Sequence, residues 1–208
     1  MGDGKKKGQV HFGPSPGKNG CTVTKSMPSF SPAPNLHAVL ERARRRVRMR
    51  PSTHLTAVID LDGTLLSGPG QEINKDVALF LRWLWRRGSD LYCVSARPDV
   101  PECIEQAEDD LRRAGLHDVR AIILMPHAEW QTKSAEKVRQ FKANARAHVA
   151  ELGGGGVCDL SIGDAAWDVW DECGGPSDEC GLVLCGSGVD GYIGVKVPHW
   201  EPSRETDL

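Results

Sequence analysis

Val58-Ile59-Asp60-Leu61-Asp62-Gly63-Thr64-Leu65 is the stretch on which the reading of this chain turns. The apolar run from Leu55 to Ile59 reads as a short buried strand. Asp60 and Asp62 follow it two residues apart, which in extended chain places both carboxylates on one side. Gly63 lets the backbone turn sharply, and Thr64 can hydrogen-bond within the turn. Two carboxylates held together repel, so one is driven towards its protonated form unless a cation compensates. That favours a division of roles: one stays ionised as a nucleophile beside a metal, and the other carries a proton to a leaving group and then takes one from water. A capped turn after a strand would account for a single aspartate, but it does not account for the pair and its downstream partners.

Working outward, short apolar runs alternate with helical periods. The spacing predicts helices over Leu36 to Arg50, ended by Pro51, and over Lys75 to Arg87, capped by Asn74 and stopped by Gly88. Asp99 and Pro101 open a third helix through Ala114, and Ser134 to Leu152 forms a fourth and longest. A short helix is expected near Ala165 to Cys173. Strands are expected at Leu91 to Val94, Val119 to Leu124 and Val157 to Ile162, with weaker ones at Leu182 to Cys185 and Tyr192 to Val197. The alternation implies an α/β fold: a three-layer, Rossmann-like parallel sheet with helices on both faces.

Polar residues then fall at the ends of the strands. Asp60 follows Ala57-Val58-Ile59, Ser95 follows Tyr92-Cys93-Val94, and Asp164 follows Leu160-Ser161-Ile162-Gly163. In an open parallel sheet the carboxyl ends of the strands share one edge, where ligands bind. Three strands therefore deliver two carboxylates and a hydroxyl to one place, and packing alone has no need of acids at strand tips.

These motifs resemble the haloacid dehalogenase-like (HAD) phosphohydrolase superfamily. The stretch Val58 to Leu65 is similar to its first signature, Val94-Ser95-Ala96-Arg97 to its second, and Ile162-Gly163-Asp164 through Asp168 to its Gly-Asp-x-x-x-Asp fourth. A finer resemblance is to the acid-phosphatase and vegetative-storage-protein branch. Lys142 and Arg146 precede Asp164 as a Lys-x-x-x-Arg helix, Trp167 adjoins Asp168, and Val195-Lys196-Val197-Pro198 closes the domain. The stretch from 171 to 190 is longer than the usual connection in that branch.

The resemblance implies a Mg²⁺-dependent phosphatase acting through an aspartyl-phosphate. Asp60 would be the nucleophile and Asp62 the acid and base. Asp60, the backbone carbonyl of Asp62, and Asp164 would hold Mg²⁺, with Asp168 supporting it from the first or second shell. Ser95, a lysine and the Gly63 turn would bind the phosphoryl oxygens. Lys142 is the chosen lysine, and Lys133 and Lys137 are its rivals. The intervals from Asp62 to Ser95 and from Ser95 to Lys142 are too short for a cap domain, so an open site is expected for a phosphorylated small molecule or macromolecule.

The remaining chain bounds this reading. At 208 residues it suits one domain, expected at 52–200, after an arm at 1–35 expected to be disordered and a basic helix at 36–51, with a tail at 201–208. The formal charge of −2 argues against a general nucleic-acid coating protein. Local positive charge at Arg42 through Arg50 leaves room for nucleic-acid binding or a solvated helix face. Met1 to Lys18 lacks the apolar core of a signal peptide, and no apolar run is long enough to span a bilayer. The seven cysteines are therefore expected to be free thiols in a cytoplasmic protein. Cys173, Cys180 and Cys185 lack a Cys-x-x-Cys pair and a nearby histidine, so zinc is not expected. Trp83, Trp85, Trp167 and Trp170 are expected to pack, and His127 and Trp130 to lie on a loop. Two other functions stand beside the phosphatase: a nucleic-acid end-processing phosphatase or phosphotransferase guided by the basic helix, and a non-enzymatic storage or binding protein. Replacement of Asp60 would favour the last; here Asp60 is intact.

Overall fold

The structure, a computed structural model, describes residues 35–52, 54–153, 158–169, 181–185 and 191–199. The N-terminal arm, the C-terminal tail, Trp170, Cys173 and Cys180 lie outside the described residues. The elements are α1 (Leu36–Arg48), β1 (Thr56–Ile59), α2 (Lys75–Arg86), β2 (Asp90–Pro98), α3 (Pro101–Arg113), β3 (Ala121–Met125), α4 (His127–Trp130), α5 (Ala135–Leu152), β4 (Leu160–Gly163), α6 (Ala166–Val169), β5 (Gly181–Cys185) and β6 (Tyr192–Lys196).

The strands form one sheet in the order β3-β2-β1-β4-β6-β5. Every neighbouring pair is parallel except β5 with β6. The expected parallel sheet is present, with β5 added as an antiparallel edge strand. Residues 186–191 separate these two strands, too few for the crossover a parallel pair requires, so they pair as a hairpin.

Side-chain alternation along the central strands divides the core in two. Ala57 and Ile59 face a cluster containing Val39, Ala43 and Val47 of α1, Phe80, Leu81 and Leu84 of α2, and Ala107 and Leu111 of α3. Val58 faces the other way, towards Val138, Phe141, Ala145 and Val149 of α5. Each fully buried aliphatic or aromatic side chain in such clusters contributes roughly 1.5–3 kcal/mol. The expected three layers are therefore present, and no cap domain interrupts the described residues between β1 and α5.

Several boundaries differ from expectation for physical reasons. β2 continues past Val94 through Pro98, because its ladder with β3 resumes at Pro98 and Met125 after a shift following Ser95. Its polar end is a strand exposed to a cleft, where alternation of apolar residues is not required. α1 stops at Arg48, so Arg50 lies beyond the helix. His127 and Trp130 stand on the four-residue helix α4, not on a loop. Asp99 does not cap α3; the N-cap is Val100, which makes no side-chain bond, and Pro101 supplies the first turn.

Candidate active site

β1 places Asp60 at the carboxyl edge of the sheet, where its N–H donates to the Ile162 carbonyl at 3.0 Å. The chain then turns over Leu61 to Leu66. Gly63 occupies the left-handed region at φ 81°, and a Cβ there would collide with the Asp164 carboxylate and the His199 ring. Glycine is thus required both for the turn and for the close approach of the loop after β4. The Thr64 hydroxyl lies 3.2 Å from Asp60 Oδ2 and 3.3 Å from Asp164 Oδ1, joining the two loops.

Lys142 reaches this place from α5. Its inward turn of helix also carries Arg146, four residues later on the same face. Lys142 Nζ donates to Asp60 Oδ1 at 2.5 Å and to the Val94 carbonyl at 2.8 Å, and it lies 2.8 Å from Asp168 Oδ1. Arg146 donates to the Asp168 backbone carbonyl at 3.0 Å, and Ser161 donates to the same oxygen at 2.5 Å. The Ala165 N–H donates to Asp168 Oδ2 at 3.1 Å. Asp168 therefore braces Lys142 and the turn after β4. Gly163 admits it, because a Cβ at Gly163 would overlap the Asp168 side chain. Lys133 lines the cleft but is exposed, and Lys137 is exposed and donates to Thr132, whereas the lysine bonded to Asp60 is Lys142.

Oxygen atoms of Asp60, Asp164 and Asp168 all lie within 4.8 Å of one another. Three hard carboxylate donors at that spacing suit a small divalent cation with oxygen preference. Burial is the main cause that pushes Asp60 up from 3.8 to about 8; Lys142 pulls the other way, while Asp168 and Asp164 push further up. Lys142 is held above the ordinary lysine range because the carboxylates of Asp168 and Asp60 outweigh its own burial. A cation among the carboxylates would favour the ionised Asp60 that a nucleophile must be.

Asp62 and Ser95 stand at the other side of the turn. The Asp62 side chain is 34% exposed, and Arg97 Nε and Nη2 grip its two oxygens at 2.9 and 2.7 Å. The Ser95 hydroxyl lies 3.4 Å from Asp62 Oδ2. Asp60, Asp62, Ser95, Lys142, Asp164 and Asp168 all line one cleft of about 730 Å³. Its walls include Trp167, which is therefore not only the packing residue expected, and Trp130 of α4. Trp83, by contrast, packs beneath the guanidinium groups of Arg44, Arg48 and Arg87.

Sequence reasoning missed three participants. His199 Nδ1 lies 2.5 Å from Asp164 Oδ2, yet nothing in a histidine after a late strand marks it. Arg97 ends the second motif, where its spacing alone assigns it no partner. Asp110 is fully buried on α3, and its only signal is its place between Ala107 and Leu111 on the inward face.

The basic helix lies elsewhere. Arg50 donates to Asp159 Oδ1 at 2.6 Å and to the Gly191 carbonyl, just before β4 and β6 begin. That is the amino edge of the sheet, opposite Asp60. No described helix is long and apolar enough to cross a membrane.

The fold and this edge define an α/β, mostly parallel, three-layer protein with an acidic site at the strand tips. No family model matches the sequence, and no curated protein matches it. Among solved structures, the class C acid phosphatase from Bacillus anthracis is similar, at 17% identity and a TM-score of 0.38. The match covers 64% of each chain, so this chain spans just under two thirds of that protein. A likeness at that TM-score carries no argument.

Proposed function

We propose that this protein hydrolyses phosphate monoesters with Asp60 as the nucleophile and Mg²⁺ as its cofactor. The observation that supports this best is convergence: four carboxylates (Asp60, Asp62, Asp164 and Asp168), the Ser95 hydroxyl and the buried Lys142 line one cleft, and oxygens of three of the four carboxylates, Asp60, Asp164 and Asp168, lie within 4.8 Å of one another.

The residues divide the reaction as follows. Asp60 Oδ2 attacks phosphorus, and the ester oxygen leaves as the aspartyl-phosphate forms. Asp62 gives that oxygen a proton, then takes one from the water that attacks the phosphorus of the intermediate and frees Asp60. Lys142 holds the other Asp60 oxygen, so that Oδ2, bonded only to the Thr64 hydroxyl among the described residues, is the one left to attack, and with Ser95 it donates to the phosphoryl oxygens as charge gathers there. Asp60, Asp164 and the Asp62 carbonyl would hold Mg²⁺, and Asp168, committed to Lys142 and Ala165, supports from behind. The cation supplies charge neutralisation that lets an anionic nucleophile approach an anionic ester.

The test is a screen of sugar phosphates, nucleotides, oligonucleotide ends and phosphopeptides with Mg²⁺ or with EDTA. The expected result is Mg²⁺-dependent release of phosphate from at least one class. Release that resists chelation, or none from any class, would contradict the proposal.

A further inference from the structure

Asp62 needs a definite orientation to serve as acid and base, and its own backbone does not supply one. A carboxylate 34% exposed on a turn has rotameric freedom that must be removed by its neighbours. Arg97 removes it. Its planar fork makes one bond to each Asp62 oxygen, fixing the carboxylate plane; Oδ2 also accepts from the Ser95 hydroxyl at 3.4 Å, while Oδ1 accepts only from Arg97 among the described residues.

Arg97 is itself held. It stands where the ladder of β2 with β3 shifts register, a device that re-aims a side chain, and its own side chain is 5% exposed. The remaining nitrogen, Nη1, donates to Asp110 Oδ2 at 2.9 Å. Asp110 is fully buried, and it also accepts from Gln106 Nε2 at 3.2 Å, Arg113 Nη1 at 3.0 Å and the Gly70 N–H at 3.2 Å. A buried carboxylate on an apolar helix face is costly unless fully paired, and a packed aliphatic residue there would be at least as stabilising. Asp110 is absent from the cleft lining, whereas Arg97 is part of it.

We propose that Asp110 and Arg97 form a positioning chain for Asp62, in which Asp110 affects the reaction only by fixing the Arg97 fork. This rests on the phosphatase reading, because it needs Asp62 to transfer a proton. Neither residue is a catalytic group in its own right.

The test uses the full-length protein with saturating Mg²⁺ and two esters. p-Nitrophenyl phosphate loses a phenolate that leaves without help, and an alkyl phosphate such as glycerol phosphate needs a proton on its leaving oxygen. Since general acid catalysis is worth about 10²–10⁴-fold, and misplacement by about 1 Å costs roughly 10²-fold, R97Q should lower kcat on the alkyl ester about 100-fold. The loss on p-nitrophenyl phosphate should be roughly ten times smaller, with KM changed less than about threefold. R97K keeps the charge but not the fork, and should resemble R97Q. D110N should show the same ester-dependent pattern at about 10-fold, and the double variant R97Q/D110N should be no worse than R97Q, as expected for groups acting in series. Unfolding midpoints identify any variant that fails to fold, and R97K and D110N then carry the comparison in place of R97Q. Equal losses on both esters, or losses that multiply in the double variant, would overturn the positioning chain alone. A wild-type protein inactive on every ester would instead overturn the phosphatase reading beneath it, and this inference with it.

Discussion

Two arginine–aspartate clasps sit at opposite edges of the same sheet. At the amino edge Arg50, 2% exposed, holds Asp159 and the Gly191 carbonyl, and Asp159 Oδ2 accepts the Thr56 N–H at 2.8 Å. That clasp fastens the starts of β1, β4 and β6, and both Asp159 oxygens accept from the protein's own donors. At the carboxyl edge Arg97 is equally buried, and the Asp62 it grips lines the cleft that also holds Asp60. The chemistry of the two pairs and the exposure of their acids are alike, 27% for Asp159 and 34% for Asp62; what differs is that only Asp62 stands in a cleft beside other reactive groups. An ion pair becomes part of a reaction site only when one member still faces something it can act on.

The largest contrast is expected from removing the nucleophile. Asp60→Asn should lower kcat by at least about 10³-fold while the circular dichroism spectrum stays that of the wild type, because an amide is a poor nucleophile and a weak metal ligand. Retained turnover would detach the cleft from the chemistry. Next is the amino-edge clasp. Arg50→Ala removes its bonds to Asp159 and the Gly191 carbonyl, and because the remaining carboxylate is partly open to water it should cost about 1.5–3 kcal/mol in urea unfolding. Turnover per folded molecule should be unchanged, so a selective fall in kcat would erase the distinction between the two edges.

How far the sequence revealed each edge follows from the same distinction. The strand tips were legible because Asp60, Asp62, Ser95 and Asp164 follow apolar runs, and acids or hydroxyls there have no packing role. Lys142 could be singled out by its place on a long helix, although Lys133 and Lys137 offered similar spacing; its burial and its bonds to Asp60 and Asp168 separate it from them. The amino-edge clasp was hidden, since Arg50 reads as one more arginine in a basic run. Asp110 was hidden for the opposite reason: a lone acid in an amphipathic helix reads as solvated until its neighbours are known. The antiparallel β5 depended on a short connection between two weak strands, where apolar patterning does not record direction.

A smaller effect concerns acidity. Asp60 in the folded, metal-free protein is pushed up to about 8, above its value in the unfolded chain. Between those values the unfolded chain has released the proton that the folded protein keeps. Stability from this group is therefore greatest at low pH and lost as pH rises towards about 8. In chelated protein, the urea midpoint of wild type relative to D60N should fall between pH 5 and pH 8, and Mg²⁺ should restore more at pH 8. An unchanged or rising difference would contradict the burial argument.

The smallest expected effect lies on α1. Arg42, Arg45 and Arg48 are exposed on the helix that ends near the amino edge, away from Asp60. Replacing all three with glutamine should leave kcat on p-nitrophenyl phosphate unchanged. If the helix guides polyanions, KM for oligonucleotide ends should rise and lose its salt dependence. Parallel changes on both substrates would show that α1 and the site are coupled through the fold.

The central claim is that Asp60 becomes covalently phosphorylated. The direct measurement is to quench the Mg²⁺-loaded protein with acid during turnover, reduce with borohydride, and map the product by mass spectrometry. Hydride reduces an acyl phosphate to the alcohol and releases phosphate, so the account predicts homoserine at position 60, absent without substrate and absent in D60N. Steady turnover with Asp60 unmodified and the reduced residue at another position would contradict it.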